Sequence, residues 1–408
     1  MTQAVAAAVG QRARIERIET LRLASQPNLL WVEVTDDHGV TGLGETYYLP
    51  AAVEAVLHEM VAPLVLGSDA HKIEDVWQTL FACANFHGFA GAEMRAFSAF
   101  DIALWDLLGQ HAGLSISTLL GGRVRDTIRV YNTCVDAGGY RDQTAFVERP
   151  GDLAEELLAA GFTAMKIWPW DRFAPQMGSS LSTGPAGWSA MGQVGHDLTQ
   201  ATLLEGLRAV AGIRERVGAR IDLMIEGHAR WDVNAALAIC RALEPYDVAW
   251  IEDVIQPDSP GDLVRLVRES RVPQCVSERL FSRYAFRNVI AEGACHVVMV
   301  DVVWAGGITE ARKVADLADA FHLPVVPHDC TGPVCLAASL QVCAHATNAK
   351  IMEVVRGFID GWYREAVDNP PEVEAGWAPI PDRPGLGLAL LPELRTRADV
   401  TVRTSRRR

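Results

Sequence analysis

Three glutamates are the first residues whose type and spacing could do chemistry. Glu226 ends the apolar run 221–225, Glu252 ends Val248-Ala249-Trp250-Ile251, and Glu278 follows Val276-Ser277; successive members stand 26 residues apart. Side by side, three carboxylates must have their mutual repulsion neutralised. A hard divalent cation does this, and oxygen-only ligation favours Mg²⁺ or Mn²⁺ over zinc. The alternative is three separate glutamates, each in its own salt bridge. His228 lies two residues after Glu226, so on a strand the period of two puts both side chains on one face.

The pattern continues downstream. Asp301 closes His296–Val300, His328 closes Leu323–Pro327, and Glu353 follows Lys350-Ile351-Met352. A carboxylate bonded to one imidazole nitrogen fixes the tautomer and raises the basicity of the other nitrogen, which makes His328 with Asp301 a candidate base. A purely structural histidine is the competing reading. Lys166, in Lys166-Ile167-Trp168-Pro169-Trp170, offers positive charge from an earlier strand. His228 could act as an acid, and Glu353 could hydrogen-bond a developing oxyanion.

The elements that must position these groups follow from the spacing. Each run ending in an ionisable residue reads as a strand, and amphipathic helical segments such as Ala235–Leu243, Gly261–Arg268 and Thr309–Phe321 separate them. This is βα repetition, and in a barrel of such units the strand ends open onto one face. A barrel takes about 250 residues, and the chain has 408, which leaves room for a second domain. Residues 14–50 read as antiparallel strands (Arg14–Leu23, Leu29–Thr35, Thr41–Tyr47), with loops at Ala24–Asn28 and Tyr47–Ala51. Helices follow to Leu120, including Ala96–Leu108, and Gly121-Gly122 marks a stop. The expected domains are an α+β cap over 1–122, a barrel over 123–358, and a segment 359–408 that packs back on one or both.

The stretch Asp171–Asp197, rich in Gly, Ser and Pro and carrying Trp188 and His196, reads either as a lid or as an insertion. Pocket candidates are Gln26, Asn28, Tyr47, Tyr48, Trp168, Trp170, Arg279 and Trp304.

The bulk composition narrows the partners. The net charge is −14, with no basic patch in the interior, so nucleic acid is not an expected ligand. The terminal Arg406-Arg407-Arg408 reads as a frayed end. Eight cysteines form no Cys-x-x-Cys pair, a pattern that suits buried thiols in a reducing cytoplasm. No apolar run is long enough for a membrane span, and Ala4–Val9 lacks the basic start of a signal peptide.

Taken together, the motifs Ile102-Ala103-Leu104-Trp105-Asp106-Leu107-Leu108-Gly109, Leu119-Leu120-Gly121-Gly122, Trp250-Ile251-Glu252-Asp253, Ser277-Glu278-Arg279 and Pro327-His328-Asp329-Cys330-Thr331-Gly332-Pro333 resemble the enolase superfamily, mandelate racemase-like subgroup, over nearly the whole chain. The resemblance implies an α+β capping domain on a modified (β/α)7β barrel. It implies Mg²⁺ bound by Glu226, Glu252 and Glu278, a His328–Asp301 base dyad, and Glu353 as the carboxylate of the last strand. It also implies specificity loops at Ala24–Asn28 and Tyr47–Ala51, and a homo-oligomer.

Three departures from the family pattern matter. Lys166-Ile167-Trp168 lacks the second lysine of a two-base racemase, and His228 after the first ligand resembles the galactonate dehydratase-like branch. Glu226 also stands where many relatives have Asp. The expected activity is dehydration of a small carboxylate, an aldonate or aldarate, through an enediolate to a 2-keto-3-deoxy acid. An epimerase, racemase or cycloisomerase working through the same enediolate, and a non-catalytic barrel that binds a metal or a sugar acid, are the competing readings.

Overall fold

In the computed structural model, residues 12–86, 88–173 and 198–407 are described. Most of the expected lid, including Trp188 and His196, lies outside them, as do residues 1–11.

The cap is a four-stranded antiparallel sheet. Ile15–Leu23, Gln26–Asp36 and Thr41–Tyr47 form a meander, and Val400–Arg406 pairs with the outer side of Ile15–Leu23. The expected loop Ala24–Asn28 is shorter than that. Only Ala24 and Ser25 turn, and Gln26, Pro27 and Asn28 already belong to the second strand. Proline is tolerated there because it stands at the strand's beginning. The expected frayed end is also corrected. Arg406 pairs with Arg17, and the Arg407 amide donates to the Glu16 carbonyl at 2.9 Å. Val402, Thr404 and Arg406 are exposed while Arg403 and Ser405 are half-buried, as suits a strand with one face in water, and the stretch carried no composition signal of disorder.

The helix Ala92–Ala112 lies across this sheet. It can approach so closely because Gly42 and Gly44 face it. A Cβ on Gly42 would fall 2.0 Å from the Ala103 carbonyl oxygen, and one on Gly44 would fall 1.8 Å from that of Ala99. Gly113, at φ 65°, closes the helix in the left-handed region. Two aspartates and a tryptophan of this helix are buried ties. Asp106 accepts from the amides of Leu43 and Leu386, both at 2.8 Å. Asp101 accepts from the Thr309 hydroxyl at 2.6 Å and its amide at 3.0 Å. Trp105 Nε1 donates to Thr309 Oγ1 at 2.9 Å, and Thr46 Oγ1 donates to the Val303 carbonyl at 2.8 Å. The cap is therefore bolted to the barrel loop that carries Trp304.

Among the described residues, eight parallel strands follow the cap in chain order: Thr127–Thr133, Ala164–Ile167, Asp222–Glu226, Trp250–Glu252, Gln274–Val276, Val297–Val300, Val325–Pro327 and Met352–Val354. Each pairs with its sequence neighbour, the last strand pairs with the first, and a Val325–Ala349 bridge brings the seventh against the eighth. Helices, including Pro150–Ala159, Gln200–Val217, Val233–Leu243 and Pro333–His345, separate the strands. The fold is a (β/α)7β barrel with an N-terminal α+β cap. The interior holds Tyr131, Met224, Trp250, Cys275, Met299 and Val326 as a separate core, so the barrel is packed rather than hollow. No helix among the described residues is long and apolar enough to cross a membrane.

Candidate active site

The ionisable residues singled out above gather at the C-terminal ends of the barrel strands. Glu226 and Glu252 are the last residues of their strands, Asp301 and His328 follow theirs directly, and Glu278 stands two residues beyond Val276. All are buried.

Lys166 lies at the centre of the carboxylates. Its Nζ donates to both oxygens of Glu252 at 2.9 Å, and lies 3.3 Å from Glu226 and 2.8 Å from Glu353. Burial alone would discharge such a lysine, but the Glu252 and Glu353 charges outweigh it and hold the ammonium well above its ordinary range. Burial and the Glu226 charge push Glu252 up, whereas His228 and Lys166 pull Glu226 down against its burial.

Glu278 turns instead to Arg279, 3.5 Å away, and one of its oxygens is buried without a hydrogen-bond partner. Asp253 Oδ1 is similarly orphaned. As the side chains stand, no three His, Cys, Asp or Glu side chains among the described residues close on a point tightly enough to hold a metal ion. The donor set nonetheless suits a hard cation. It is all oxygen, buried and over-charged, and it contains a carboxylate oxygen that the protein leaves unbonded.

Two imidazole–carboxylate pairs flank this centre. His328 Nδ1 donates to Asp301 Oδ2 at 2.6 Å, and Asp301 Oδ1 accepts from the Val303 amide at 2.8 Å. The second imidazole nitrogen lies 3.9 Å from Glu353. Burial opposes the imidazolium, yet Glu353 and Asp301 push His328 up to about 9. His228 is the second pair. It does not continue a strand, as the period-two reading expected. The strand ends at Glu226, and His228 and Ala229 turn through the left-handed region at φ 46° and 55°. The turn returns the His228 amide to Glu226 Oε1 at 2.7 Å. His228 Nδ1 donates to Asp171, and Asp171 with Glu226 raises the imidazole against its burial.

Asp171 was not singled out from sequence, and neither was Thr133, whose hydroxyl donates to Glu353. The signal for Asp171 was its place after the Trp168–Trp170 aromatics, at the mouth of a long connection.

The pocket candidates divide. Trp168 packs edge-on against His228, with ring centroids 5.7 Å apart, and Trp304 leans on His328 at 5.1 Å. Asn28 and Tyr47 are buried beside each other under the cap rim, where burial raises Tyr47 to about 12. Arg279 reaches Asp253 at 3.5 Å and the His228 carbonyl at 3.2 Å. Trp170 is corrected. It donates to the Leu203 carbonyl at 3.1 Å and packs on Gly206 of the Gln200–Val217 helix, in the outer core.

The family described as "Enolase C-terminal domain-like" matches residues 150–394, and the mandelate racemase/muconate lactonizing enzyme N-terminal domain matches 13–121. The chain belongs to the enolase superfamily. Within the superfamily it is similar to D-galactonate dehydratase of Variovorax paradoxus, at 31% identity over 92% of this chain and 91% of that one. It is similarly related to D-galactonate dehydratase of Xanthomonas euvesicatoria, at 31% over 95% and 94%. Among solved structures, an enolase protein from Sargasso Sea environmental sequencing superposes with a TM-score of 0.86 at 41% identity, over 97% of this chain and all of that one. An Agrobacterium tumefaciens enolase of the mandelate racemase subgroup gives 0.85 at 42%, over 96% and 99%. These likenesses place the chain in the mandelate racemase subgroup of the superfamily, on its galactonate dehydratase-like branch.

Proposed function

We propose that this chain is a hydro-lyase, a Mg²⁺-dependent dehydratase of an acid sugar. The observation that carries the reading is the placement of the two histidine–carboxylate pairs. His228 follows the third barrel strand and His328 the seventh, so in a ring of eight they stand on opposite sides of the carboxylate cluster. Dehydration needs a base and an acid at adjacent carbons, and two oriented imidazoles supply both.

Glu226, Glu252 and Glu278 are the residues that would hold the metal, with Asp253 beside them. A divalent cation there supplies Lewis-acid stabilisation of negative charge on a substrate carboxylate and offsets the carboxylates that keep His328 protonated.

The protein's own groups do the rest. His328, held by Asp301, removes the proton α to the carboxylate. Lys166 places positive charge where the enediolate forms, and Glu353, oriented by Thr133 and the Asp329 amide, fixes the lysine. His228, kept charged by Asp171, protonates the β-hydroxyl, which leaves as water. The enol left behind tautomerises to the 2-keto-3-deoxy acid.

The test is turnover of aldonates and aldarates in D₂O with Mg²⁺, scored for 2-keto acid and for α-deuterium. His328→Asn should abolish both signals. His228→Asn should keep deuterium exchange and lose keto acid. Normal dehydration by the His228→Asn variant overturns its role. Deuterium uptake without keto acid in the unaltered protein turns the assignment to an epimerase, racemase or cycloisomerase.

A further inference from the structure

Arg95 is a charge the mechanism above does not use. It stands in the first turn of the cap helix Ala92–Ala112 and faces the barrel mouth. Its Nη1 donates to the Tyr47 carbonyl at 2.8 Å, and its guanidinium lies over the Trp304 ring at 4.4 Å and the Tyr48 ring at 5.7 Å. The other arginines of this rim have carboxylates: Arg279 has Glu278 and Asp253, and Arg230 has Asp171. Among the described residues, Arg95 has none within ion-pair distance. The carboxylates whose charge is felt at Arg95, Asp301 and Glu278, are committed to His328 and to Arg279.

An arginine packed against aromatic rings, whose hydrogen bond to the Tyr47 carbonyl is to a neutral group, is costly to keep unless something anionic completes it. The planar fork is the group that matches a carboxylate at two points. Its position identifies which carboxylate. Trp304 leans on Arg95 with one side and on the base His328 with another, at 5.1 Å. The backbone Arg95 grips is strained, since Tyr48 and Leu49 sit at φ 72° and 53° without being glycine. Strain of this kind persists where surrounding contacts over-determine it, commonly at ligand sites.

We propose that Arg95 binds a second, distal carboxylate of the substrate, so that this dehydratase acts on a sugar diacid (an aldarate) in preference to the corresponding monoacid. The inference rests on the acid-sugar reading above. In that reading the reacting carboxylate lies among Glu226, Glu252 and Glu278, and the far end of the molecule meets the cap. Two ring contacts separate His328 from Arg95, a distance that a six-carbon acid can span.

The experiment pairs acids that differ only at the terminal carbon, glucarate with gluconate and galactarate with galactonate, on the Mg²⁺-loaded enzyme, scored for 2-keto acid and α-deuterium. The unaltered protein should favour a diacid by at least about 100-fold in kcat/KM, the discrimination expected when a buried donor is left without its acceptor. Arg95→Met should remove that preference mainly through KM on the diacid, with little change on the monoacid. Arg95→Lys should recover part of it. A monoacid turned over as well as its diacid, or an Arg95→Met loss equal on both, overturns the proposal and leaves the dehydratase reading intact. No keto acid and no deuterium uptake from any member overturns both. Should the variants fail to fold, the preference of the unaltered protein still decides.

Discussion

Lys166 Nζ lies 2.8 Å from Glu353 Oε1, so the second barrel strand is tied to the eighth across the first. The same ammonium faces Glu226 and Glu252, and its side chain is 3% exposed. Lys166→Met therefore strands three buried carboxylates, a loss of about 3–5 kcal/mol when one partner of a buried ion pair is removed. Its melting temperature should fall, and Mg²⁺ should raise it by more than it raises that of the unaltered protein. Thermal unfolding with and without EDTA checks this.

Asp171 should matter to one half-reaction only. Asp171→Asn removes the charge that holds His228 protonated and in place, so keto acid formation should drop by about 10²–10⁴-fold. Exchange of the α-proton, which belongs to His328, should persist. Parallel loss of both signals would make Asp171 a structural residue.

Glu45 offers a pH test that is read from stability and not from turnover. It is buried where the cap meets the loop after His328, and it accepts from Trp31 Nε1 at 2.8 Å and the Cys335 amide at 3.0 Å. Burial raises its carboxyl to about 7, with those hydrogen bonds opposing. A folded value above the unfolded one means that its contribution is intact below about 4.5 and lost as pH rises through 7. Glu45→Gln cannot titrate. Whatever its fixed cost, its deficit in melting temperature relative to the unaltered protein should be largest near pH 5 and should shrink towards pH 8.

Gly332 lies against this same carboxylate. A Cβ there would fall 2.3 Å from Glu45 Oε1. Gly332→Ala should cost about 1–3 kcal/mol by overpacking, read as a lower denaturant midpoint. Combined with Glu45→Ala, it should cost much less than the separate effects added together.

The residues that were legible in sequence share one property. Glu226, Glu252, Asp301, His328 and Glu353 each end an apolar run, and a period-two strand with a charge at its end leaves few places for that charge. Arg95 and Asp171 had no such signature. Arg95 sits in the first turn of a helix, where a charge ordinarily means solvent, and the close seat of that helix on Gly42 and Gly44 brings it against the rim. The turn at His228 depends on left-handed backbone at His228 and Ala229, a conformation that neither residue type announces. The strand Val400–Arg406 was hidden because its partner, Ile15–Leu23, lies almost a whole chain away.

Removing residues 400–407 should uncover the Ile15–Leu23 edge. An open, apolar-backed edge templates pairing with other chains, so the truncated protein should aggregate on mild heating. Light scattering during a thermal ramp checks it.

That last strand also sets an order of events during synthesis. The cap sheet takes its first three strands from residues 15–47 and its fourth from 400–406, with the entire barrel between them. While a ribosome is still making the barrel, the early strands wait with one edge open, and they can be sealed only after residues 400–406 emerge. Three strands of the cap sheet are thus translated before the barrel and the fourth after it, and a chain stalled anywhere in the barrel displays an unfinished sheet to whatever quality control it meets.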